Sequence, residues 1–257
     1  MSSSGKRSSW TRVPGNHAPG SHLGIPLLLV YLYRTVFNMA SKFMRISTQK
    51  PRPRGRPPSY DRDVALGSIR DVFWEQGFSA TSLDDIAAAA GMNRPSLYGA
   101  FGDKRDMYLA ALRMFSAELG LEMQKALEAP TLRQALEAFY VRAIQEYQSG
   151  DAGPRGCLVI CTAVTESAGD ETIRTALAVM LAELDSVVSV RIARAQEEDD
   201  RCIGGDAKVL ARVVTSVLHS VSLRARAGAG RSELLTLARA TTELIVGPAS
   251  GVDMRSR

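Results

Sequence analysis

The chain has 257 residues, 45% of them apolar and 23% charged, a balance that fits a globular protein of one large or two modest domains. Three cysteines (Cys157, Cys161 and Cys202) are too few and too irregularly spaced for a disulfide framework, and they fit a reducing cytoplasm. Residues 1–58 hold ten Lys/Arg and no Asp or Glu, a local charge of +10, while the other 22 basic and 27 acidic residues sum to −5.

The N-terminal stretch therefore reads as a basic arm on a mildly acidic body. Its apolar run, Ile25 to Tyr33, falls far short of the roughly 20 residues that a membrane span needs. No small-residue cleavage site follows to make it a secretory signal, so no membrane partner is expected. Residues 1 to about 43 are rich in Ser, Gly and Pro and are expected to be disordered, with Met39 and Met44 as alternative starts. Pro53-Arg54-Gly55-Arg56-Pro57 is the core of an AT-hook. In such a hook an extended Arg-Gly-Arg lies in a narrow A·T minor groove, where the negative potential is concentrated. The plainer reading of Arg54, Gly55 and Arg56 is a solvated lead-in to the first helix.

From Ser59 onward the pattern is helical. Ser59 is expected to cap a first helix with Asp61 and Asp63 in its first turn. Leu66, Ile69, Val72 and Phe73 form its apolar stripe, and Gly77 ends it. Thr81 and Ser82 each precede an Asp by three residues, a capping-box pattern that opens a second helix. There Leu83, Ile86, Ala87 and Ala90 repeat on one face. Gly91 is a natural left-handed turn residue. Asn93 caps a third helix, Pro95 is tolerated in its first turn, and Leu97, Tyr98 and Phe101 supply its inner side. Gly102-Asp103 breaks the chain before a long fourth helix running to about Glu128.

Beyond Pro130 a fifth helix carries Leu132, Leu136, Phe139, Ala143 and Tyr147 on one side. A loop follows at 149–156, then the apolar segment LVICTAV. Propensity permits a strand there, but no second strand exists to pair with it, so it is assigned as helix. A seventh helix carries Ile173, Leu177, Met180, Leu184, Val187 and Ile192. Two final helices are expected from about Ala207 to Ala227 and from Ser232 to Val246.

Two short helices joined by a glycine turn, over 82–101, have the layout of a helix-turn-helix whose second helix lies in the DNA major groove. The outward face of 93–99 is free of large apolar residues. Asn93, Arg94 and Ser96 can donate to or accept from base edges, and Arg is the commonest reader of guanine. Thr81, Ser82, Tyr98 and Lys104 are placed for phosphate contact, because a helix start presents free amides. The basic arm beside this unit suggests further phosphate contact.

The segment GFSATSLDDIAAAAGMNRPSLYGAFGDKRDMYLAAL (77–112) resembles the DNA-binding domain of the TetR family of bacterial transcriptional regulators. The features that match are Gly-Phe before the second helix, Thr-Ser, Asp-Ile-Ala, Ala-Gly, Leu-Tyr-x-x-Phe and the following Lys. Pro154-Arg155-Gly156-Cys157-Leu158 is similar to the regulatory domain of one subgroup. The resemblance implies an all-α homodimer, with an N-terminal three-helix DNA-binding domain and a helical ligand-binding and dimerisation domain. It also implies repression of a promoter, relieved by a small-molecule effector. By position, Thr81, Ser82, Tyr98 and Lys104 would hold phosphates of double-stranded DNA, and Asn93, Arg94, Pro95 and Ser96 would face bases. Gly99 and Ala100 depart from the family pattern, in which bulkier or basic residues are frequent.

The expected organisation is an arm at 1–58, a DNA-binding domain at 59–105, a ligand and dimer domain at 106–247 and a tail at 248–257. The stripes Leu210, Val213, Val214, Val217, Leu218, Val221 and Leu234, Leu237, Thr241, Leu244 would pack with their copies as a four-helix interface. Cys157 and Cys161 share a helix face and, with His219, could bind a soft metal or sense oxidants. Such cysteines are more often small core residues, so no metal or cofactor is assigned. No HExxH, phosphate loop, nucleophile elbow or dinucleotide fingerprint is present, which argues against an enzyme. The other reading is a ligand-independent structural protein that prefers A·T-rich DNA.

Overall fold

The computed structural model describes residues 60–150, 153–198, 200, 202 and 204–247, all within the unit Pro58–Arg257. Among them every regular element is helical. The AT-hook residues Arg54, Gly55 and Arg56, the proposed cap Ser59 and the tail 248–257 lie outside the described residues.

Helix α1 spans Arg62–Gln76. Its cap is Asp61, not Ser59: the Asp61 carboxylate accepts the N–H groups of Asp63 (2.9 Å) and Val64 (3.2 Å). Two amides on one carboxylate fix the start two residues later than the serine would. Gly77, at φ +79°, closes the helix by donating its N–H to the Phe73 carbonyl, a backbone angle that a residue with a Cβ rarely adopts. The buried face runs through Ala65, Ile69, Phe73 and Trp74. The expected Leu66 and Val72 are only half-buried. The stripe is rotated toward Trp74 because this helix packs against two neighbours, α2 (Leu83–Ala90) and α4 (Lys104–Leu127).

Helix α3 spans Arg94–Phe101 and packs on both α2 and α4. Helix α4 then packs along α5 (Leu132–Tyr147), where Leu132, Leu136, Phe139, Ala143 and Tyr147 are all buried. The LVICTAV segment is helical as expected, but it opens as a wide π-helical turn, Val159–Ala163, and continues into the short α6, Val164–Glu166. The Thr162 hydroxyl donates to the Leu158 carbonyl (2.6 Å) and accepts from the Tyr108 hydroxyl (2.6 Å). A side chain competing for a backbone acceptor is one cause of such local unwinding.

Helices α7 (Glu171–Glu197), α8 (Ala207–Arg226) and α9 (Arg231–Val246) complete the body, with α7 on α8 and α8 on α9. On α7 the expected Met180, Leu184 and Val187 are half-buried. The buried face instead includes Arg191, which is 5% exposed. Arg191 donates to the carbonyls of Leu127 (3.1 Å) and Ala129 (3.3 Å), closing the C-terminal end of α4 with a cation.

One aromatic residue stands at the centre of the joint between the first three helices and the body. The Trp74 Nε1–H donates to the Gly156 carbonyl (3.1 Å), and the Trp74 ring meets Phe115 edge-on at 4.7 Å. The Arg155 guanidinium lies 3.9 Å from the centre of the Trp74 ring. Arg226, at the end of α8, donates to the carbonyls of Trp74 (3.1 Å) and Arg155 (2.9 Å). Around this anchor Phe73, Phe78 and Tyr108 form a ring cluster with centroids 5.0 to 6.2 Å apart. Polar links lie further out, Ser79 to Glu166 (2.8 Å) and Arg105 to Asp170 (3.5 Å). Replacing Trp74 with Ala is expected to destabilise the fold by about 3–5 kcal/mol, measured as a lowered urea midpoint with unchanged slope. A midpoint within about 0.5 kcal/mol of wild type would show that the anchor carries little.

Candidate nucleic-acid interface

The geometry of the interface is set by two caps and one turn. Ser82 opens α2: its hydroxyl accepts the Asp85 N–H (3.1 Å), and the Asp85 carboxylate accepts the Ser82 N–H (2.8 Å). The Ser82 hydroxyl also bonds to that carboxylate, and these bonds hold Asp85 below the ordinary carboxylate range. Gly91, at φ +62°, ends α2 in the left-handed conformation. Two residues later the Asn93 side chain accepts the Ser96 N–H (2.9 Å) and opens α3. Met92 and Leu97 are buried beneath the turn. The chain thus reverses within three residues, and α3 leaves with a fixed face outward.

That face is formed by Asn93, Arg94, Pro95, Ser96, Tyr98 and Gly99, all exposed. Tyr98, expected both as an inner residue and as a phosphate contact, is 46% exposed and lies on the surface side. Leu97 and Phe101, with the half-buried Ala100 beside them, fill the inner side of α3. Lys104, the first residue of α4, holds its Nζ 4.6 Å from the centre of the Phe78 ring, which fixes the ammonium beside the end of α3. Ser82 is exposed, but Thr81 is not: it is 1% exposed and its hydroxyl donates to the Gly77 carbonyl (2.6 Å). The Thr81 side chain is therefore a structural bolt between the ends of α1 and α2 and is withdrawn from the surface.

Sequence reasoning missed two residues here. Arg62 lies with its guanidinium 5.1 Å from the centre of the Phe101 ring and donates to the Ala100 carbonyl (3.4 Å), which puts a cation beside the end of α3. Asp84 pairs with Arg94 in a two-pronged contact, Nε to Oδ1 at 2.9 Å and Nη2 to Oδ2 at 2.6 Å. Arg62 was hidden in the sequence between Asp61 and Asp63, whose acids mark a helix start. Nothing in the spacing signalled the pair, because its members sit ten residues apart across the turn.

A short supporting helix, a tight glycine turn and an outward helix edge bearing Arg, Asn and Ser define a helix-turn-helix DNA-binding protein. The sequence profile of bacterial regulatory proteins of the tetR family matches residues 66–111. The HTH-type transcriptional repressor ComR of Escherichia coli strain K12 is 31% identical over 197 residues, covering 74% of this chain and 91% of ComR. A solved structure of a cysteine-substituted TetR family regulator, CifR, in complex with a 26-base-pair operator duplex is 30% identical, with TM-score 0.69. That match covers 74% of this chain and all of that one. Reduced E. coli NemR shares the fold at TM-score 0.65 and 19% identity, over 73% of this chain and 98% of NemR. The chain belongs to the TetR family of bacterial regulatory proteins. It is a DNA-binding transcriptional regulator, not an enzyme.

The cysteines lie away from this face. Cys157 is buried, and its backbone N–H donates to the Ser222 hydroxyl (2.8 Å); Cys161 Sγ lies 3.5 Å from the same oxygen. Burial pushes the Cys157 thiol up to about 12, so little of the nucleophilic thiolate forms at neutral pH. Burial also pushes the His219 imidazole down. Among the described residues no group of three or more His, Cys, Asp or Glu side chains is placed to hold a metal ion. Native Cys157 is expected to resist iodoacetamide at pH 8 and to react after unfolding, measured by mass spectrometry. Because its pKa is raised in the folded state, the associated stability is present at neutral pH. That stability is lost as pH rises from about 8.5, where the unfolded thiol ionises, toward the folded value. Rapid native labelling would show that the site opens.

Proposed function

We propose that this protein is a homodimeric repressor that grips a palindromic operator with two helix-turn-helix units and releases it when a small molecule binds the helical body. The observation that carries this reading is the exposed edge of α3, Asn93 to Ser96, set rigidly on a buried inner side. Arg94 and its neighbours face base edges in this reading, while Ser82, Tyr98 and Lys104 hold phosphates, with Arg62 beside them. Thr81 supports the unit from within.

The dimer is supported by large apolar side chains left exposed on a single chain. Val209, Val213 and Leu223 on α8 and Leu244 on α9 are each between 45% and 70% exposed. Covering these with the same helices of a second chain removes them from water. Release by an effector is proposed from the family resemblance; the open cleft of about 330 Å³ between α4 and α5 is lined by Phe115, Leu119 and Leu121 together with the charged Glu118, Glu122, Arg142 and Glu146. The repressor role is proposed from the likeness to ComR, a transcriptional repressor. The arm residues Arg54, Gly55 and Arg56 are proposed to lie in an adjacent A·T minor groove.

Purified protein is expected to sediment as a dimer and to select a palindrome from random duplexes. Half-sites should lie about 34–36 Å apart, with a preference of about 10³-fold or more over unrelated DNA. A monomer that shows no preference would overturn the reading. Replacing both Arg54 and Arg56 with Ala is expected to weaken operator binding and to flatten its salt dependence, each lost phosphate contact lowering the slope by about 0.9. Unchanged affinity and slope would remove the arm from the interface.

A further inference from the structure

The ion pair between Asp84 and Arg94 stands on the DNA-facing surface yet does little for the fold. Both side chains are open to water, with 54% of Arg94 and 74% of Asp84 exposed, and exposed pairs of this kind contribute little to stability. Its geometry is nonetheless specific. Asp84 is the second residue of α2, where the helix dipole favours an acid, and Arg94 is the first residue of α3, where the dipole disfavours a cation. The carboxylate therefore supplies the attraction that holds the guanidinium at the head of α3.

A guanidinium carries five N–H donors in a planar fork. Asp84 takes one from Nε and one from Nη2. The second Nη2–H and the two Nη1–H groups are left, and one hydrogen from each of these nitrogens forms the parallel pair at the end of the fork. A parallel pair of donors is what the O6 and N7 atoms of guanine accept in the major groove. The same carboxylate repels phosphate, whose attraction for Arg and Lys supplies nearly all sequence-independent binding. We infer that Asp84 is a specificity-determining positioning residue. It holds Arg94 end-on for guanine and prevents Arg94 from serving as a general phosphate clamp. This rests on the reading that Arg94 faces a base.

The test uses the full-length protein and a duplex selected from a random library, with 7-deazaguanine placed in turn at each guanine to delete N7. Wild type should lose about tenfold in affinity at one guanine per half-site. Asp84→Asn should bind unrelated duplex more tightly, with a salt slope steeper by about 0.9 per subunit. Its preference for the selected site should fall about tenfold, and its 7-deazaguanine penalty should shrink. Asp84→Glu, which keeps the charge, should restore most of that preference. The thermal midpoint of each variant should stay at the wild-type value, which separates the effect from misfolding. If Asp84→Asn leaves preference and slope unchanged while Arg94→Ala abolishes the 7-deazaguanine penalty, the role of Asp84 is overturned and base reading by Arg94 stands. If Arg94→Ala keeps the full penalty, the underlying reading fails and the inference goes with it.

Discussion

A single buried indole holds this molecule to its purpose. Trp74 closes α1, and its ring is enclosed by Phe115 on one side and the Arg155 guanidinium on another. Its N–H reaches the Gly156 carbonyl of the loop before the π-helical turn, while Arg226 caps the carbonyls around it. A buried aromatic of this size carries large apolar area together with a directional bond. The orientation of α2 and α3 is therefore inherited from the body and not from the turn alone. Gly156 has little freedom to change: at φ +67° a Cβ would lie 2.7 Å from Cys161 Sγ and 2.8 Å from the Ser222 carbonyl.

The contacts joining the two parts of the chain differ in character from centre to edge. The centre is apolar and aromatic and is closed to water. The edge is made of Ser79 with Glu166, Arg105 with Asp170 and Arg70 with Glu118 (2.6 Å). Water can replace each of these polar links at small cost, whereas nothing in solvent replaces the aromatic centre. The ligand release proposed above would need two arrangements separated by little free energy. A joint that is firm at its middle and exchangeable at its margin is suited to that requirement.

Much of this was legible in the sequence, because much of it is local. Ser82, Asn93, Gly77 and Gly91 act within three or four residues of themselves, and each stands at the helix end its chemistry demands. The face of α5 was readable because one periodic stripe meets one continuous core. The misses share a cause. Asp61 displaces Ser59 by collecting two amides, a competition that propensity does not rank. Leu66 and Val72 give way to Ala65 and Trp74 because two neighbouring helices, not one, choose the buried face. Thr81 is buried through a bond back to Gly77. At the wide turn Val159–Ala163, Thr162 also bonds to Tyr108, more than 50 residues away. The pairing of Asp84 with Arg94 depends on how sharply the chain reverses at Gly91.

Gly99 stands on the outer edge of α3 with nothing within 4 Å of where a Cβ would be. A glycine inside a helix costs roughly 0.5–1 kcal/mol relative to alanine, so this position gives up helical stability and gains no packing. Any side chain introduced there meets open space instead of protein. A mutation at this single codon would therefore add a side chain to the outer edge of α3 while leaving the packing beneath it untouched.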